Sequence, residues 1–463
     1  MAALNRRGFL TTAVSATAGW WILRDSRSAW TAQANERLNL AVVGLGARGT
    51  YHLHTVPRVG QNLTGVCDAD RSRLAEAGKL QPAVPQYQDF RKLLDELDGK
   101  LDGLIVATPE HTHAVISARA MRRTIHVFCE KPIAHAVAEA RALRRIAKET
   151  GVATQMGNQG MATDSFRRTV ELVEDGTIGE LREAHVWYVF GGGGPMKRPE
   201  GSHPVPERLD WDVWIGPAPM RPYHPSYEKG WGGWRDFATG CLGGGGSHSI
   251  NLAFKAFQLR GLWEPGDESQ QTIRVETDVS EHCPESFPRW QVVRFQIPKR
   301  GSRPPATIHW YNANEPELVR MGIWSRLETI AGRSLEWRDG SWTPRSGTLL
   351  VGSKGVVHTN AHNSVCAFLP ESDFSDVGGP PRRVPHVAGH ERDWFQACRG
   401  GPAALSSFEH SGPAMELLLL GNVASLVDGP LEFDPVATKI VNNAEADALL
   451  RPEHRQGWAV DAA

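Results

Sequence analysis

The stretch Leu38-Asn-Leu-Ala-Val-Val-Gly44-Leu-Gly46-Ala-Arg-Gly49 decides how the rest of the chain is read. Residues 38–43 are a short apolar run of strand length, and three glycines follow at the spacing G-x-G-x-x-G before a helical stretch beginning near Arg48. Each glycine has its own task in a strand–loop–helix that binds a dinucleotide. Gly44 permits the tight turn, Gly46 lets the backbone approach a pyrophosphate, and Gly49 lets helix and strand pack closely. The helix start then offers unpaired N–H groups and the positive end of its dipole to the phosphates.

Working outward, a second strand over 62–67 runs into Asp68, at the offset expected of an acid that binds ribose hydroxyls. A carboxylate there repels a 2′-phosphate, which favours NAD over NADP, although Arg48 and Arg71 stand nearby. Strand-like residues 104–107 lead into Thr108-Pro109-Glu-His-Thr-His113, and residues 125–129 lead into Glu130-Lys131-Pro132. Helix formers fill 114–122 between them. Strands alternating with helices imply an α/β, doubly wound parallel sheet. Gly44, Asp68, Thr108 and Lys131 then gather along its C-terminal edge, where such sheets bind ligands. No cysteine or carboxylate cluster completes a metal site around His111 and His113, so no metal is expected.

The bulk numbers agree with a two-domain globular protein. At 463 residues the chain exceeds one compact core, and 51 basic against 52 acidic residues give no basic footprint for nucleic acid. Six cysteines are too few for a disulfide framework, and Cys67 and Cys129 sit where strands end, as small apolar fillers. Sixteen tryptophans pack cores, but their faces also stack on sugar rings. At the start of the chain, Asn5-Arg-Arg-Gly-Phe-Leu10, a mild apolar run to Leu23 and Ala32-Gln-Ala34 have the form of a twin-arginine export signal over residues 1–34. Export to the periplasm with the cofactor already loaded is the expectation; no stretch is long enough for a stable membrane span.

The glycine loop, Thr108-Pro109 with His113, and Glu130-Lys131-Pro132 together resemble the Gfo/Idh/MocA oxidoreductases. Gly157-Asn158-Gln159, the segment Leu209-Asp-Trp-Asp-Val-Trp-Ile-Gly216 and the ending Glu445-Ala-Asp-Ala-Leu-Leu450 resemble the exported bacterial branch of that family. The resemblance implies an NAD-binding domain over 36–157 and a C-terminal α+β domain over 158–463 with a large, mostly antiparallel open sheet. It also implies a homodimer or homotetramer formed through that sheet. Strand-like residues at 181–190, 289–297, 307–312 and 347–358 agree, as do helical stretches at 390–398 and 413–426, the latter starting at Pro413.

Members of that family move hydride between nicotinamide and a sugar or polyol carbon. The resemblance places Lys131 as general base, since a lysine beside a cationic nicotinamide in a closed cleft loses its proton more readily. Pro132 fixes the turn that aims it. In the family a glycine-rich segment carries an acid four residues before a histidine, one helical turn away. Here Cys241-Leu-Gly-Gly-Gly-Gly-Ser-His248-Ser-Ile-Asn251 keeps His248 but has Gly244 at the acid's position, and Asn251 replaces a second acid. The run is read as a turn opening a helix that delivers His248, with Asp236 as a substitute acid. Asn158, Gln159, Tyr223, His224, Asp236 and His248 are the expected sugar contacts. Three functions follow: an NAD(P)-dependent oxidoreductase of sugars, cyclitols or glycosides; a glycoside hydrolase or lyase working by transient oxidation; or a nucleotide-binding scaffold without catalysis.

Overall fold

The computed structural model describes residues 37–191, 193–266, 271–337 and 344–461. The twin-arginine segment, residues 1–34, lies outside the described residues.

Six parallel strands form the first sheet: β1 (Asn39–Val43), β2 (Asn62–Cys67), β3 (Gln86–Tyr87), β4 (Gly103–Val106), β5 (His126–Cys129) and β6 (Thr154–Met156). Their order is β3-β2-β1-β4-β5-β6, the doubly wound arrangement with a switch between β1 and β4. Every residue of β4 is buried, as are Leu40 to Val43 of β1 and Val127 to Cys129 of β5. That explains their continuous apolar runs, because crossover helices cover both faces. Cys67 and Cys129 are buried and unbridged.

The second sheet has nine strands: β7 (Leu181–Val189), β8 (Ile273–Val279), β9 (Gln291–Ile297), β10 (Ala306–Ala313), β11 (Gly347–Gly352), β12 (Val356–Asn360), β13 (Cys366–Leu369), β14 (Leu431–Asp434) and β15 (Lys439–Ile440). They lie in the order β13-β12-β11-β7-β10-β9-β8-β14-β15, and every pairing is antiparallel except β7 with β10. The single strand expected over 347–358 is two. Gly352-Ser-Lys-Gly355 turns the chain back, with the Gly352 N–H donating to the Gly355 carbonyl at 2.9 Å. Turn chemistry outweighed the β-branched run on either side.

Strand alternation divides this sheet's side chains. Ala184, Val186, Phe295, Ile308 and Trp310 point into the main core. On the opposite face Glu183, His185 and His309 meet, with the two imidazoles stacked 4.7 Å apart and Glu183 Oε2 at 3.3 Å and 3.4 Å from their Nε2 atoms.

The helix Phe408–Ala424 is buried around nearly its whole circumference and packs between the lobes. It begins five residues before the expected start, so Pro413 lies inside it rather than at its first position. Proline there forfeits one helical bond, to the Glu409 carbonyl, and dense packing offsets the loss. Glu416 on this helix is fully buried. It accepts from Arg141 Nε and Nη2, both at 2.9 Å, and from Trp263 Nε1 at 2.9 Å. Helix His390–Cys398 has the expected bounds. One apolar cluster runs from Ala41 and Val43 in the first sheet through Leu417 and Leu418 to Phe295 and Trp310 in the second.

Candidate active site

The glycine loop leaves β1 as its spacing requires. Gly44 has φ +90°, and a Cβ there would lie 2.5 Å from the Ala107 backbone. A Cβ at Gly49 would lie 1.8 Å from the Gly44 carbonyl oxygen. At Gly46 the added atom would meet only Arg73 Nη1, at 3.8 Å, so the backbone there is open to a ligand. No side chain caps the helix Ala47–Arg58 that follows, leaving its first-turn N–H groups for an anion.

Beyond the loop lies a cavity of about 400 Å³ lined by Gly44, Gly46, Arg48, Asp68, Thr108, Pro109, Glu110, His113, Glu130 and Lys131. Strand ends from β1, β2, β4 and β5 thus share one cleft. The observed features fit a dinucleotide: a glycine cradle that a Cβ would block, an uncapped helix start, and a half-buried acid after β2. Asp68 accepts from the Leu45 N–H at 2.7 Å and the Asp70 N–H at 2.9 Å, bracing the glycine loop. Burial raises its pKa, and those two hydrogen bonds oppose the rise.

Arg48, His113 and Glu130, which line the cavity, brace it as well. Glu130 Oε1 accepts from Arg48 Nε (3.0 Å) and Nη2 (2.7 Å) and sits 2.8 Å from His52 Nε2. Burial opposes its charge, but His52 and Arg48 outweigh that and pull its pKa down to about 2. A Cβ on Gly157 would lie 2.5 Å from Glu130 Oε2, so the glycine after β6 makes room for this carboxylate. His113 places Nδ1 2.7 Å from the Pro132 carbonyl and Nε2 2.8 Å from the Thr108 carbonyl. Two carbonyl acceptors require two N–H donors, so the ring is cationic. Burial opposes this, yet the Cys129 sulfur, the Pro132 carbonyl and Glu110 raise its pKa to about 9. Arg48 also lies over the Tyr51 ring at 4.4 Å. His111, beside the same loop, sits 3.0 Å from the Trp214 carbonyl through Nε2.

The glycine run at 240–246 is helical, in the short helices Gly240–Gly244 and Gly246–Ser249, and Gly243 to Gly246 are all buried. A Cβ on Gly245 would come within 3.1 Å of Tyr188, and one on Gly246 within 3.0 Å of Leu418. Close backbone approach to β7 and to the central helix explains the glycines. His248 is buried beside Lys131. Burial first, then the charge of Lys131, holds its pKa well below the usual imidazole value, and its Nδ1 has no hydrogen-bond partner among the described residues. Its ring stacks on His362 at 4.3 Å. Burial, then Lys131, also lowers the pKa of His362, to about 4.

The remaining expected sugar contacts divide. Asn158 donates through Nδ2 to Asn251 Oδ1 at 3.1 Å, and Asn251 in turn donates to the Ser247 and His248 carbonyls. Asn158 Oδ1 and Gln159 Nε2 are buried without partners among the described residues. By contrast Tyr223 donates to Glu228 (2.7 Å), His224 caps the helix Pro225–Lys229, and Asp236 is ion-paired to Arg221. None of the six expected sugar contacts, His248, Asn158 and Gln159 included, is among the residues lining the cavity with Lys131. Asp236 is therefore not the substitute acid, because a buried guanidinium already holds it.

Sequence reading missed two features. His362 gave no signal, since only the hairpin turn after β12 brings it to His248. The other is a strap over the nucleotide end. Leu209 forms a β-bridge with Asp70, the Arg71 N–H donates to the Arg208 carbonyl (2.8 Å), and the Asp210 N–H donates to the Ala69 carbonyl (2.9 Å). Arg208 pairs with both Asp70 and Glu228, and Trp214 and Trp231 complete the cover.

Residues 38–158 match the family described as "Oxidoreductase family, NAD-binding Rossmann fold", the Gfo/Idh/MocA N-terminal domain. Residues 187–300 match its "C-terminal alpha/beta domain". The chain is 27% identical over 144 residues to a myo-inositol 2-dehydrogenase of Thermotoga maritima, covering 31% of this chain and 42% of that one. It thus spans less than half the length of such relatives. Among solved structures, a WlbA dehydrogenase from Bordetella pertussis, in complex with NADH and UDP-GlcNAcA, superposes with a TM-score of 0.57 at 15% identity, over 85% of this chain and 98% of that one. An aldose–aldose oxidoreductase from Caulobacter crescentus does so with a TM-score of 0.53 at 17% identity, over 86% and 100%. At these identities the structures are alike in fold.

Proposed function

Since the chain belongs to the Gfo/Idh/MocA oxidoreductase family, with an NAD-binding domain, we propose that it oxidises or reduces a carbinol carbon of a sugar, cyclitol or glycoside. The observation that carries this reading is the shared cavity: the glycine cradle, Asp68 and Lys131 all line it. The chemistry bound NAD supplies there is two-electron acceptance from a C–H bond. The chain's own residues do the rest. The Gly44–Gly46 loop and the helix start hold the pyrophosphate, Asp68 takes ribose hydroxyls, and Thr108-Pro109 lines the way to Lys131. Lys131 accepts the hydroxyl proton as general base. Neutral His248 accepts a substrate hydroxyl at its free Nδ1, and Asn158 Oδ1 and Gln159 Nε2 supply further polar contacts.

The strap over Asp70 favours a second reading, in which a retained cofactor is oxidised and reduced within one turnover and a glycoside is cleaved without net redox change. Pairing of two copies through the nine-stranded sheet and export from the cytoplasm belong to the same proposal.

The test is a panel of sugars, cyclitols and aryl glycosides with the NAD-loaded protein. Accumulating NADH supports the dehydrogenase, and aglycone release without NADH supports the transient route. Neither signal, with NAD still bound, overturns both in favour of a scaffold. Lys131→Ala should lower turnover at least ~10²-fold, the scale of a lost general base, while bound NAD stays unchanged. Undiminished turnover removes Lys131 from the mechanism.

A further inference from the structure

The family's acid is missing at position 244, yet a carboxylate reaches the same space from elsewhere. A Cβ built on Gly244 would lie 3.6 Å from Glu110 Oε1 and 4.0 Å from Lys131 Nζ, with no third atom as near. Glu110 lies on the short turn after Thr108-Pro109 and is buried. Its other oxygen, Oε2, accepts from the Thr239 N–H (2.7 Å) and the Thr239 hydroxyl (2.6 Å), which fixes the carboxylate at the head of the glycine-rich helix. Oε1 takes neither bond and is turned toward the open point beside Lys131. Glu110 and Lys131 both line the cavity.

We propose that Glu110 is a positioning residue for Lys131, supplying the carboxylate that position 244 lacks, and that Gly244 keeps the point between them open for a substrate hydroxyl. The proposal rests on Lys131 being the reacting amine. The physical reason is geometric. An acid at 244 would project from the helix into the point that Glu110 Oε1 and Lys131 Nζ flank. With glycine there, the carboxylate tethered by two Thr239 bonds and the lysine face each other across an open gap. The hydroxyl proton passes to Lys131 Nζ, and Glu110 Oε1 faces the ammonium formed across the gap. Cys241 and His248 from the glycine-rich helices and His362 from the turn after β12 also face Lys131, and Arg48, His113 and Glu130 line the same cavity.

The experiment follows Lys131 itself, so it needs no substrate. The full NAD-loaded chain is labelled competitively with acetic anhydride across a pH series, and acetylation of the Lys131 peptide is read by mass spectrometry. Removing a facing negative charge should move the labelling midpoint of Glu110→Gln down by about one pH unit, the scale of a near opposite charge. Adding Gly244→Asp to that variant should return it. A merely structural cap on Thr239 would shift the unfolding temperature and leave the midpoint alone, so an unmoved midpoint in a folded Glu110→Gln protein overturns the proposal. If that variant does not fold, Gly244→Asp alone decides. A raised midpoint supports the proposal, because the added side chain enters the same gap at ordinary contact distance; an unchanged one overturns it. Failure of the functional reading is a separate result: wild-type protein that turns over nothing on the panel still gives a labelling curve.

Discussion

Glu130 and His113 have opposite charges and perform the same service, holding loops around one cavity. Glu130 ties the first crossover helix to the loop carrying Lys131. Its pKa falls to about 2, first against burial and then because His52 and Arg48 outweigh it. A depressed carboxylate stabilises the fold fully above its unfolded value near 4.5, and that contribution is lost as pH falls toward 2. The shift corresponds to about 3 kcal/mol. Denaturant titrations should therefore show wild-type stability declining through that window, and Glu130→Gln should be less stable at neutral pH with a flatter acid limb. Equal slopes would show that Glu130 is not a source of the acid sensitivity. The glycines and charged residues at strand ends were legible because their roles follow from local sequence. The double duty of Glu110 was not, because it depends on Thr239, more than a hundred residues away, and on a side chain that Gly244 does not have.

At the scale of elements, the strap over 208–210 is the feature with the clearest consequence. Its backbone bonds join it to the loop after Asp68, and Arg208 bridges Asp70 and Glu228. Leu209 and Trp214 of this segment line the cavity beside Asp68, so a nucleotide bound there would leave past this pairing. The ion pairs are partly exposed, so each contributes ~1 kcal/mol or less. Arg208→Ala should then speed NADH release roughly fivefold, measured by stopped-flow fluorescence on displacement with excess NAD. An unchanged release rate would mean the strap does not gate the cofactor. The elements themselves were read well where one period ran uninterrupted, as in β1, β2 and helix His390–Cys398. They were misread where a short turn interrupts one pattern, as at Gly352–Gly355, and where packing tolerates a proline inside a helix, as at Pro413.

The whole molecule is joined by one apolar cluster that spans both sheets through helix Phe408–Ala424. Two lobes that share a core should unfold together. Calorimetry should give a single transition, and Leu418→Ala, which empties fully buried space beside Gly246, should lower stability by roughly 2–5 kcal/mol without splitting it. Two resolved transitions would show that the lobes are energetically separate. The sequence by itself determined the parallel sheet, the glycine cradle, Asp68 and the loop bearing Lys131, because strand–loop–helix units confine their signals to a few neighbouring residues and a parallel sheet sends every such loop to one edge. Only the tertiary structure decided that the glycine run is a buried helix, that Asp236 belongs to Arg221, that a strap covers the nucleotide end, and that Glu110 faces the gap at Gly244. Those depend on packing and on side-chain contacts, some within one segment, as between Arg221 and Asp236, and some across more than a hundred residues, as between Glu110 and Thr239, and no local pattern encodes them.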